Sequence, residues 1–253
     1  MLSLSVLMLA VGAESGVVIT EIMYDPASPE RSGEAEWVEI ANLSPEPVTM
    51  KGWRLDDEDG GDWGPFDATL RPRQVAVLIN GDATGSEEFL AAWTDDPTRE
   101  PDFLIIPVSW GSLANRPTAD NEILTLLDGD GTVAAKANYQ QANGWPPHDR
   151  SGASIYMPIP SHASMNVGSD WARSKAGVHG ARACRPGGVF SRPDIGSPGT
   201  ISQTASPTPP ATPVKPDPTP PPTTPKAPPA PSPAPAEPRT PDPTPPDDDD
   251  IPY

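Results

Sequence analysis

Short apolar runs alternate with polar turns along most of this chain, and no stretch sustains the 3.6-residue period of a long amphipathic helix. Val17–Met23 is β-branched and apolar, bounded by Gly16 before and Asp25-Pro26 after, which marks a strand. Glu36–Asn42 alternates, with Val38 and Ile40 on one face and Trp37 and Glu39 on the other. In Val48–Leu55, Val48 and Met50 are in phase while Trp53 and Leu55 come one residue late. A bulge at Lys51-Gly52 absorbs that slip and turns all four to the core. Val75–Ile79 and Phe103–Val108 read as further strands. Between them Ser86 is placed to cap a short helix, with Glu87 and Glu88 in its first turn and Phe89 and Trp93 on one face. Asn121–Leu127 and Val133–Tyr139 form a hairpin around Asp128-Gly129-Asp130-Gly131. Ala153–Met157 and the stretch near Trp171 supply the last short strands or loops. Many short strands, frequent turns and no βα alternation predict an all-β antiparallel sandwich with one short inserted helix.

Both ends depart from this pattern. Leu2–Val11 is a short apolar run closed by the small residues Gly12 and Ala13, as in a secretory signal peptide over residues 1–13, although its first residues carry no Lys or Arg. Of the chain's 38 prolines, more than half follow Ile201. A segment so rich in Pro, Ser and Thr cannot bury enough apolar surface to offset the entropy of ordering. Residues 201–253 are therefore expected to be a disordered spacer sampling polyproline II, leaving 14–200 as one domain. With the leader removed, no segment is expected to span a membrane. The expected location is secreted, periplasmic or cell-surface.

Composition narrows the partners. A formal net charge of -18 argues against nucleic acid, whose binding rests on Lys and Arg displacing counterions. The basic stretch Arg173, Lys175, His179, Arg182, Arg185 and Arg192 is either a charged surface loop or, on a third reading, a site for extracellular DNA. Cys184 is the single cysteine, so the core must hold without an internal disulfide. His148, His162 and His179 lack the close ligand pairs of a zinc site.

Several pieces in order carry a resemblance: Val18-Ile19-Thr20-Glu21-Ile22-Met23, then Glu36-Trp37-Val38-Glu39-Ile40-Ala41-Asn42, then Gly52-Trp53-Arg54-Leu55. The hairpin at Asp128-Gly129, Gly144-Trp145-Pro146, Gly152-Ala153-Ser154 and the closing Trp171 with Gly196-Ser197-Pro198-Gly199 follow. Together they resemble the lamin-tail domain across about Val17 to Thr200. The resemblance implies an immunoglobulin-like β-sandwich that belongs to binding modules and carries no catalytic residues. The stretches 83–119 and 145–168 are longer than a minimal version and would be loops at the sandwich ends, where binding sits.

Candidate chemistry is sparse. Asp56, Asp57, Asp59 and Asp62, with Gly60 and Gly61, could supply the oxygens Ca²⁺ requires, or could form a solvated acidic loop. Asp128 and Asp130 are accounted for by their turn. Trp63, Trp110 and Trp145 lie in Gly/Pro-rich loops, where a ring could anchor a partner or cap the sandwich end. Glu36 and Glu39 lie on opposite strand faces and cannot converge on one substrate. The reading that follows is a non-catalytic, adhesion-type binding or scaffold module without an obligatory cofactor. Its partner would be a protein or a cell-surface or matrix polymer. The alternative is a metal-dependent hydrolase, or hydrolase accessory domain, built on the Asp56–Asp62 loop and a histidine.

Overall fold

The computed structural model describes residues 16–58, 63–115, 122–140 and 142–201. The expected leader and nearly all of the proline-rich tail lie outside them. Chain order is β1 (Val17–Met23), β2 (Trp37–Asn42), β3 (Val48–Asp56), β4 (Trp63–Leu70), β5 (Val75–Asn80), α1 (Ser86–Trp93) and β6 (Leu104–Val108). Then come β7 (Glu122–Leu127), β8 (Val133–Tyr139) and the two-residue strands β9 (Ile155–Tyr156), β10 (Ala172–Arg173), β11 (Arg182–Ala183) and β12 (Ile195–Gly196).

The strands form a six-stranded sheet, β10-β9-β1-β2-β5-β6, facing a four-stranded sheet, β4-β3-β7-β8; β11 and β12 pair separately. Among the described residues the strand pairings are antiparallel except β5 with β6, which run parallel and make the sandwich mixed at that edge. Between the two large sheets lies the main core, with Ile19, Ile22, Val38, Ile40, Met50, Leu55, Leu124 and Leu126 at its centre. The slip in β3 occurs where expected: its register with β4 shifts between Met50 and Trp53, and Gly52 takes φ 67. Met50, Trp53 and Leu55 are all buried, and Val48 packs against the same core.

The second face of the six-stranded sheet is covered as well. Trp37, Val75, Val77 and Ile79 meet Phe89 and Trp93 of α1, together with Cys184 and Phe190. Trp93 stands edge-on to Trp37 at 5.6 Å and to Phe190 at 6.1 Å between ring centroids. Side chains of both parities in β1, β2 and β5 are therefore buried. The helix begins one residue away from the expected cap: Gly85 is the N-cap, Ser86 is the first helical residue, and no side chain caps the end. Glu88 accepts a hydrogen bond from the Val189 amide at 2.8 Å, tying α1 to the loop before β12.

Candidate functional site

Those of the residues singled out in the sequence that are described do not gather at one place. Asp59 and Asp62 of the acidic loop lie outside the described residues. Of the rest, Asp56 accepts the Glu58 amide at 2.8 Å as a local turn, and Asp57 is buried. Among the described residues no group of three His, Cys, Asp or Glu side chains stands in a metal-holding arrangement. Trp63 opens β4. Trp110 and Trp145 are buried members of the main core, and the Trp145 ring lies 5.2 Å from that of Trp171. In the basic stretch, Arg182 and Arg185 sit 3.4 and 3.6 Å from the Asp95 carboxylate, while Arg173 pairs with Asp149 at 3.3 Å and donates to the Ala153 carbonyl at 2.9 Å.

What the fold does assemble is a cleft of about 520 Å³ at one end of the sandwich. The β1–β2 loop supplies Asp25, Ser28 and Glu30; Asn115, His148, Arg150 and Arg192 come from three other loops. Asp25 follows β1 after Tyr24, and its side chain and that of His148 are both buried, with Nδ1 to Oδ2 at 3.1 Å. Burial is the main cause that raises the Asp25 carboxyl to about 6, against the opposing pull of Arg173 and the Arg150 amide. Burial also lowers His148, with Arg150 and Arg173 adding to the effect. Glu30 is raised by burial and by the nearby Asp25 and Asp194 charges.

The cleft rim is braced. Asp194, itself buried, accepts hydrogen bonds through Oδ1 from the amides of Ala27 and of Ser28, the latter at 3.2 Å. Ser28 Oγ accepts from the Arg192 amide at 3.0 Å. The Ile195 amide donates to the Gly152 carbonyl at 2.7 Å. Three loops distant in sequence are thus stitched into one rim. Loops held this way keep a cavity formed before any ligand arrives.

A second constellation lies beneath β12. Glu21 and Glu39 face each other across β1 and β2, and both are buried. Glu39 accepts from Thr20 Oγ1 at 2.6 Å and from the Gly199 amide at 2.7 Å. Glu21 accepts from the Ser197 amide at 2.9 Å, from Ser197 Oγ at 2.6 Å and from Ser154 Oγ. Burial drives both carboxyls upward, and Glu39 is raised further by Glu21. Hydrogen bonds from Ser154 and Ser197 oppose the rise at Glu21. The pair closes the C-terminal segment onto the sheet. Two charged residues inside the apolar strands VVITEIM and WVEIAN are the sequence signal that marks it.

Comparison with known proteins gives one family: the model for the Lamin Tail Domain matches residues 10–141. That range spans β1 to β8 and stops before β9. No curated protein matches the chain.

Proposed function

This chain belongs to the lamin tail domain family, and on that premise we propose that it is an exported, non-catalytic binding module offering the loop-built cleft to a polar partner. The family brings an immunoglobulin-like sandwich and no catalytic constellation to transfer. Function on such a fold lives in what its loops present. The observation that carries the reading is the bracing of the rim by Asp194, Ser28 and Gly152, which holds a polar cleft open between loops remote in sequence. Export is supported by the apolar run Leu2–Val11 ending in small residues. The proline-rich segment would then act as a spacer of ~3 Å per residue between the domain and whatever lies beyond. Among the described residues no helix is long and apolar enough to cross a membrane.

The test is a photo-crosslinking amino acid placed in the full exported chain, either at Pro29, exposed on the cleft, or at Val133, exposed at 56% on β8. An adduct formed at position 29, absent at 133 and lost with Asn115→Trp supports the reading. Adducts independent of position, no adduct at either, or retention of the whole chain inside the cell would overturn it.

A further inference from the structure

We infer that the cleft at the end of the sandwich takes the lysine side chain of a peptide segment, its ammonium seated on the carboxylates of Asp25 and Glu30. The inference rests on the binding-module reading and gives that module a ligand chemistry.

The first observation is an excess of empty acceptors. Asp25 Oδ2, Glu30 Oε2 and Asp194 Oδ2 are buried and accept no hydrogen bond, although His148 Nδ1 stands 3.1 Å from Asp25 Oδ2 and Asn115 hydrogen-bonds the Glu30 carboxylate. Asp25 lines the cleft at 6% exposure, and Asp194 braces the same loop from beneath through Oδ1. Buried acceptors without donors are costly, so a ligand that brings donors gains the difference. An ammonium carries three N–H donors and a positive charge, which matches desolvated carboxylates on both counts.

The second observation chooses between ammonium carriers. Pro26, Ala27 and Pro29 form an apolar side of the same cleft. A lysine buries its four methylenes along such a wall while its head reaches the acids. An amino sugar carries its amine on a hydroxyl-covered ring and has no such stem. Arg150 and Arg192 stand exposed at the cleft. Their guanidinium groups donate only, and suit the backbone carbonyls that flank a lysine in a peptide. Being exposed, their charge is partly screened by solvent, so it offsets the Asp25 carboxylate only in part.

Calorimetry on the full chain, titrated with acetyl-Gly-Lys-Gly-amide, its Nε-acetylated form and glucosamine, tests this. Saturable binding of the first is expected, weakened at least about tenfold by Nε-acetylation, the loss of a charged hydrogen bond. Glu30→Gln should weaken it similarly without lowering the melting temperature, since the amide removes a charge that burial disfavours at a half-buried position. No saturable heat, equal affinity for the acetylated peptide, binding of glucosamine alone, or an unaffected Glu30→Gln would each overturn the inference. Failure here with position-29 adducts intact removes the lysine and leaves the binding module; failure of both removes both.

Discussion

Gly152 occupies the point where the cleft's loops meet. It holds φ 72, and a Cβ there would lie 2.7 Å from Asp194 Oδ1, 2.7 Å from Ala27 Cβ and 2.9 Å from the Ala27 amide. The backbone sign and the close approach each demand glycine. Gly152→Ala should cost about 2–4 kcal/mol in urea unfolding, the sum of left-handed strain and overpacking. It should also weaken whatever binds the cleft, because Asp194 and the 27–28 amides must separate to admit a methyl group. A loss of stability below about 0.5 kcal/mol, the range of an ordinary surface change, would show that the rim yields freely. The Asp128 turn follows the same logic in a form readable from sequence. Its carboxylate accepts the amides of Asp130 and Thr132 at 3.0 and 2.8 Å, and Gly131 takes φ 79.

Among the elements, the short strands β9 and β10 extend the six-stranded sheet beyond β1, although both lie outside the family match. Ile155, Met157, Met165 and Trp171 from that added segment join the main core. A chain ended at residue 141 should therefore lose its cooperative thermal transition and resist proteases less well than the chain ended at 201. A sharp melt of the shorter chain, followed by circular dichroism, would show that β1–β8 suffice. Much of this architecture was legible: β1, β2, β5, the β7–β8 hairpin and the bulge in β3 follow from apolar phase alone. β4 was not, because Pro65 and Asp67 interrupt the alternation of WGPFDATL. Nor could phase reveal the parallel β5–β6 pair, since it reports a face and never a partner. The cleft was invisible for a related reason. Its residues, from Asp25 to Arg192, share no local spacing, and only the folded loops bring them together. Glu36 and Glu39 do part company as expected, one accepting the Leu113 amide and the other that of Gly199.

For the whole molecule, burial pushes carboxyls in one direction. Glu21, Asp25, Glu30, Glu36, Glu39 and Asp194 are all raised by desolvation. A carboxyl whose folded value exceeds its unfolded one contributes stability that is fully present below the unfolded value of about 4. That contribution is lost as pH rises through the folded value, which for Asp25 is about 6. Asp149 and Asp96 are lowered and act in the opposite sense at more exposed positions. The melting temperature should thus fall as pH rises from about 4 through about 6, the reverse of ordinary acid denaturation. Glu39→Gln should flatten that slope, since an amide can still accept from Gly199 without a charge to bury. A melting temperature that rises across the same interval would refute the assignment.

The glutamate pair under β12 has a mechanical consequence. Any tension arriving from beyond Ile201 enters the fold through Gly199 and Ser197, the residues that Glu39 and Glu21 hold. Behind them β12 offers two residues to β11 and a single bridge from Ile195 to Ala153. A pull along this path peels a few bonds in turn instead of shearing a long ladder. Residues 195–201 therefore form a compliant lead that lengthens first, cushioning the two large sheets from sudden load.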